Sequence, residues 1–219
     1  MKRAVLLDLD GTLIDTAPDI AAAMNATLAA LDRKPLDLAR VRSFIGEGIA
    51  VLVRRSLAER MEPSGVERTL SAAVAEFERH YGVTNGKFSQ LYPGVAEGVR
   101  EMRAHGWKLG CVTNKVSRFA EPLLERFALL ESMDVVIGGD STPAKKPHPA
   151  PVLEACRRLD VAPADCVLIG DSKHDAHAAR AAGVAFLAVP YGYGRVEDLD
   201  GAIRVNTLKD AVGFFAKGV

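Results

Sequence analysis

The sequence has no excess of either charge: 28 Lys and Arg balance 28 Asp and Glu over 219 residues. A balanced chain carries no broad electrostatic footprint for nucleic acid and no polybasic tether for a membrane surface. Cysteine is scarce and odd in number. Cys111, Cys156 and Cys166 show no CxxC spacing, which argues against a disulfide framework or a cysteine metal site and for small, reduced core residues. Long apolar runs are missing. The stretch from Ala4 to Leu9 is about strand length and is broken by Asp8, unlike a signal peptide or the ~18 apolar residues of a membrane span. Long-period repeats and low-complexity tracts are absent too. These absences point to a soluble, cytoplasmic protein, monomer or homodimer, with neither nucleic acid nor membrane as partner. What is present is a chain 48% apolar, enough for a sizeable core. Its length suits one large domain or a core domain with an insert.

Arg3 to Leu7 is a short apolar run leading into Asp8-Leu9-Asp10-Gly11-Thr12. Such a run reads as a strand buried on both faces, the kind found in parallel sheets. A helix start follows, with Thr16 as cap, Pro18 in the first turn and Asp19 as the acid that returns to the cap. From about residue 20 to 82 only helical periods appear, with a break at Gly46-Glu47-Gly48. The turn-rich stretch 82–87 ends this segment. After Tyr92-Pro93-Gly94 the pattern alternates. Strands are expected at 108–113, 134–138, 166–170 and 185–189, with helices at 95–105, 119–127, 150–159 and 176–182. This alternation predicts an α/β fold. Its core is a Rossmann-like parallel sheet with helices on both faces, residues 1–14 and 85–219. An all-helical cap, residues 15–84, is inserted after the first strand, where it is expected to act as a lid.

The strand ends carry the chemistry. Asp8 and Asp10 follow the first strand, Thr113 and Asn114 the second, Lys146 lies beyond the third, and Asp171, Ser172 and Asp175 follow the fourth. Open α/β sheets bind ligands at the carboxyl ends of their strands, so these residues are expected to converge. Clustered carboxylates repel unless a cation lies among them. Hard oxygen ligands with room for water suit Mg2+, and a lysine with backbone amides suits phosphate oxygens. A carboxylate screened in this way can attack phosphorus. A second one, two residues on, can protonate the leaving alcohol and then deprotonate water.

Asp8-Leu9-Asp10-Gly11-Thr12-Leu13, Thr113-Asn114, Lys146-Pro147 and Gly170-Asp171-Ser172-x-x-Asp175 resemble, in order, the four motifs of the haloacid dehalogenase superfamily. Asp15 to Asp19, Tyr92-Pro93-Gly94-Val95, Thr113-Asn114-Lys115, Gly138-Gly139-Asp140, Lys145-Lys146-Pro147 and Tyr191-Gly192-Tyr193 are similar to the bacterial phosphoglycolate phosphatases within it. The likeness runs nearly end to end and is weakest in the insert. It implies that Asp8 is the nucleophile and a Mg2+ ligand. Asp10 is then the acid and base, binding the metal through its carbonyl. Thr113 and Asn114 hold phosphoryl oxygens, Lys146 neutralises the phosphate and orients Asp8, and Asp171 completes the metal set with Asp175 in support. The implied substrate is a small phosphorylated metabolite, 2-phosphoglycolate first.

The remaining residues divide by context. Ser172 is either a helix cap or a supporting ligand. Lys145 is a neighbouring alternative to Lys146. His174 and His177 read as exposed helix residues. Arg54 and Arg55 cannot both point the same way from a helix; one of them, taken as Arg55, is expected to bind a substrate carboxylate, the alternative being that both are solvated, and Gly48, beside the candidate lid residue Glu47, is a further expected substrate contact. A phosphatase for another metabolite, such as a sugar phosphate, is the nearest alternative. A phosphomutase resembling β-phosphoglucomutase is disfavoured because Asp19, Ile20 and Ala21 stand where that family has a histidine. A dehalogenase is disfavoured by Asp10, and a non-enzymatic phosphate-binding module by a complete residue set.

Overall fold

The computed structural model describes residues 4–194, 199 and 201–216. The chain forms two compact units, one running to Asp15 and resuming at Leu91, the other Thr16–Gln90.

The first unit is built on a sheet whose strands are β1 (Ala4–Leu7), β4 (Lys108–Val112), β5 (Val135–Ile137), β6 (Cys166–Gly170), β7 (Ala185–Ala188) and β8 (Ile203–Arg204). Their order is β5-β4-β1-β6-β7-β8 and every pairing is parallel. The short segments β2 (Ile14–Asp15) and β3 (Gln90–Leu91), where the chain leaves this unit and returns, form a separate two-stranded ribbon. The expected strands and helices form at the expected places. Strand β8 and the helix α9 (Leu208–Ala216) are additions that no periodic pattern announces.

The apolar run in β1 is continuous because both of its faces are covered. Side chains alternate across a strand. Val5 and Leu7 enter one core layer with Leu109, Cys111, Val167 and Ile169. Ala4 and Leu6 enter the other with Val112, Cys166 and Leu168. Met102, Leu123 and Val212 cover the first layer, and Val152, Ala155 and Ala178 cover the second, so helices lie on both faces. Register then fixes the site. Leu7 pairs with Cys111 on one side and Ile169 on the other. The residues that follow on these three strands therefore emerge at one edge.

The second unit contains α1 (Ala17–Ala30), α2 (Leu38–Arg42), α3 (Ile49–Ala58) and α4 (Pro63–Thr84), and no strand belongs wholly to it among the described residues. Its boundary lies at Gln90 rather than at the turn-rich stretch near 84, and Asp19 supplies the reason. Asp19 is fully buried. It accepts hydrogen bonds from the backbone N–H of Gly86 at 2.8 Å, Phe88 at 2.6 Å and Ser89 at 3.2 Å, and from the Ser89 hydroxyl. Residues 86–89 are thus stitched to α1. This corrects the reading of Asp19 as a capping acid, because its carboxylate is spent on chain 67 to 70 residues away. Replacing it by Ala strands several buried donors. Asp19→Ala is expected to destabilise the protein by about 3 kcal/mol, with Asp19→Asn in between, as measured by urea unfolding.

Candidate active site

Asp8 directly follows β1 and is held at the sheet edge by its own N–H, which donates to the Ile169 carbonyl at 3.0 Å. Lys146 lies beside it. Its ammonium is 2.8 Å from Asp8 Oδ1 and 2.6 Å from Asp175 Oδ1, and it donates to the Val112 carbonyl at 2.6 Å. An ammonium has three donors, and three acceptors converge here, so a buried Lys146 is fully partnered. Lys145, by contrast, is exposed.

Asn114 controls where Lys146 sits. Its side-chain amide donates to the Lys146 carbonyl at 2.9 Å and accepts from the Lys146 N–H at 2.9 Å. The side chain of this candidate phosphate-binding residue thus grips the lysine's backbone. Thr113 is buried, with its hydroxyl accepting from the Lys115 N–H at 3.2 Å.

Asp171 and Asp175 follow β6. Asp175 is fully buried; its Oδ2 accepts from the Ser172 N–H at 3.1 Å and the Ser172 hydroxyl at 2.6 Å. Ser172 is therefore the cap of α8 (Lys173–Ala182) and orients Asp175 at the same time. Asp171 accepts from the Thr12 hydroxyl at 3.1 Å and from the backbone N–H groups of Tyr193 at 2.6 Å and Gly194 at 3.2 Å. This close wrap needs glycine. A Cβ on Gly192 would lie 2.3 Å from Asp171 Cβ, and one on Gly194 only 2.0 Å from the Asp171 carbonyl oxygen.

Asp10 is paired with a residue to which the sequence reading gave no role. Lys115 Nζ lies 2.9 and 3.1 Å from its two carboxylate oxygens. Only its place in the Thr113-Asn114-Lys115 stretch marks Lys115 in the sequence.

Carboxylate oxygens of Asp8, Asp171 and Asp175 lie within 4.8 Å of one another. Burial raises the Asp8 carboxyl to about 8, with Asp175 and Asp171 adding to the shift and Lys146 opposing it. Burial also raises Asp171 to about 6, helped by Asp175 and opposed by the Tyr193 and Gly194 amides. Burial pulls Lys146 down, but Asp175 and Asp8 more than reverse this, so it stays charged. Burial raises the Cys111 thiol, which suits an inert core residue. Cys156 and Cys166 are free thiols 3.5 Å apart.

Four carboxylates, Asp8, Asp10, Asp171 and Asp175, thus face two ammonium groups, Lys115 and Lys146. The set is two positive charges short, the deficit is buried, and its donors are hard oxygens. These properties fit a divalent cation of the magnesium type. The carboxylate of Asp10 is engaged by Lys115 and lies outside the three-acid cluster.

Gly48 and Arg55 belong to the helical unit. Gly48 precedes α3 with φ of 89°, and Arg55 pairs with Glu47 at 2.6 Å. Arg54 pairs with Glu67. Both arginines thus have carboxylate partners within their own unit.

A parallel sheet with acids, a threonine–asparagine pair and a lysine at its carboxyl edge is the arrangement of one hydrolase class. Residues 5–189 match the family profile described as haloacid dehalogenase-like hydrolase, and the chain belongs to that family. It is 47% identical to the phosphoglycolate phosphatase of Nitrosospira multiformis over 90% of this chain and 87% of that protein. Among solved structures it resembles a predicted phosphoglycolate phosphatase from Haemophilus somnus, with TM-score 0.88, 29% identity and 97% of each chain covered. It also resembles CbbY from Rhodobacter sphaeroides in complex with phosphate, with TM-score 0.81 and 28% identity over 95% of this chain and 96% of that one. Among the described residues no helix is long and apolar enough to cross a membrane.

Proposed function

We propose that the protein hydrolyses a small phosphate monoester, 2-phosphoglycolate, to glycolate and phosphate through a phosphorylated Asp8. The observation that carries this reading is the bridging of Asp8 and Asp175 by one buried ammonium, Lys146. It leaves a nucleophilic carboxylate next to a fixed positive charge. The resemblance to phosphoglycolate phosphatases selects the substrate.

In the first step Asp8 forms a bond to phosphorus as the ester P–O bond breaks. Asp10 gives its proton to the departing alkoxide, which leaves as glycolate. In the second step Asp10 takes a proton from water. The hydroxide attacks the acyl phosphate, inorganic phosphate leaves, and the Asp8 carboxylate is restored. Thr113 and Asn114 are the proposed phosphoryl contacts, Lys146 supplies positive charge beside them and orients Asp8, and the Asn114 side chain holds Lys146. Asp8, Asp171 and the Asp10 carbonyl would hold Mg2+, with Asp175 in support. When bound, the cation neutralises charge on the phosphoryl oxygens and lets an anionic nucleophile approach them. Gly48 and Arg55 are the contribution proposed for the helical unit. A panel of phosphate esters assayed with Mg2+ and with a chelator tests the reading. The highest kcat/KM is expected on 2-phosphoglycolate, with activity abolished by the chelator. A much higher value on a sugar phosphate removes phosphoglycolate as substrate.

The charge deficit also predicts how stability follows pH. A carboxyl raised to about 8 on folding means the folded state holds a proton that the unfolded state releases near 4. Without metal, stability from Asp8 is therefore full below about pH 4 and is lost as pH rises toward 8, by up to ~1.4 kcal/mol per pH unit. Thermal melts in chelator should show wild type falling relative to Asp8→Asn across this range. Millimolar Mg2+ should shrink the difference by binding the charged form.

A further inference from the structure

We propose that Lys115 reads a carboxylate on the leaving group, so that selectivity for an anionic alcohol is built into the sheet unit itself. The inference rests on the phosphatase reading above and deepens it.

The two lysines at the sheet edge divide the work. The donors of Lys146 are taken by Asp8, Asp175 and the Val112 carbonyl, so it serves the nucleophile. Lys115 serves the other side of the reaction. Its side chain is only 5% exposed, and its Nζ is 2.9 Å from Asp10 Oδ1. It is carried at the end of β4 beside β1, with its carbonyl accepting from the Gly139 N–H at 2.8 Å.

The acid that protonates the leaving oxygen must come within roughly 2.6–3.2 Å of it. A cation bound to that acid then lies within roughly 6 Å of the same oxygen. In 2-phosphoglycolate one methylene separates the ester oxygen from the carboxylate carbon, which puts the carboxylate oxygens roughly 3 Å from the ester oxygen. The carboxylate can therefore come within ion-pair reach of Lys115 when it turns toward the Asp10 side. It also falls close to Asp10, and two like charges at that separation repel. A cation placed on Asp10 removes this repulsion for an anionic leaving group and gives nothing comparable to a neutral one. Lysine suits the task because its ammonium is a compact point charge that attracts a nearby carboxylate without a fixed fork geometry.

The test compares kcat/KM of the Mg2+-loaded enzyme on 2-phosphoglycolate, ethyl phosphate and phosphoethanolamine, whose alcohols are anionic, neutral and cationic. The wild type should rank them in that order. Lys115→Met should lower both alkyl rates, because Asp10 loses its partner. It should lower the phosphoglycolate rate at least tenfold more than the ethyl phosphate rate, and Lys115→Arg should recover part of that selectivity. Equal losses on the two esters overturn the inference and leave the phosphatase reading intact, since Lys115 then serves Asp10 alone. Selective loss in Arg55→Met without selective loss in Lys115→Met also overturns it, by moving recognition to the helical unit. If Lys115→Met fails to fold, the wild-type ranking decides, and a flat ranking counts against the inference. Absence of hydrolysis of any ester removes the phosphatase reading itself.

Discussion

Asp8→Asn is expected to lower kcat by a factor on the order of 10⁴ or more while the protein keeps its fold. The substitution exchanges one oxygen for an amide nitrogen of nearly the same size. The backbone hydrogen bond from Asp8 to Ile169 is untouched. The amide cannot form the acyl phosphate, so turnover requires another nucleophile, and Asp171 and Asp175 are both committed. Asp171 is wrapped by Thr12 and two backbone amides, and Asp175 is bound to Lys146 and Ser172. Removing the Asp8 charge also relieves the acidic cluster, so the variant should melt above wild type in chelator at pH 8. Turnover within tenfold of wild type, with an unchanged circular dichroism spectrum, would mean that Asp8 is not the nucleophile.

Lys146→Met should damage both stability and activity. It strips the buried carboxylates of Asp8 and Asp175 of their shared cation, and breaking a buried ion pair from one side typically costs ~3–5 kcal/mol. The loss in kcat should reach roughly 10³-fold, in the range seen when a preorganised charge is taken from a reacting group. Lys146→Arg should rescue little, because a planar guanidinium cannot place its donors on three acceptors gathered round one point. The two effects separate in a double-mutant cycle. Adding Asp8→Asn to Lys146→Met removes one of the two orphaned charges, so the double variant should lose less stability than the sum of the singles. Strict additivity in urea melts would mean that the pair does not interact.

The parts of this fold that were legible in the sequence are those with a local cause. β1 and β6 are apolar throughout because both sides of the sheet are covered, and a strand of that kind is recognisable from its own residues. The acids after them are legible because they interrupt such runs. The parts that were not legible depend on distant partners. Asp19 has the spacing of a helix-start acid, and only the folded chain brings Gly86 to Ser89 to it. Lys115 and Asp10 are 105 residues apart, and neither lysine burial nor lysine pairing leaves a periodic mark. Asn114 has the composition of a turn residue, and its grip on Lys146 spans 32 residues. The glycines around Asp171 could be seen as a motif, but the closeness that requires them could not. β8 is two exposed residues long, below the length at which alternation can be recognised.

The place of β1 in the sheet has a consequence for biosynthesis. The strand is made before both of its flanks, β4 and β6, which begin at Lys108 and Cys166. Contacts of such long sequence separation form slowly. While the ribosome is still translating the middle of the chain, the segment ending in Asp8 has no neighbour on one or either side, which is a state prone to sticking to other chains. Translation speed and chaperone capture while the chain between β1 and β6 is being made should therefore bear on the yield of working enzyme.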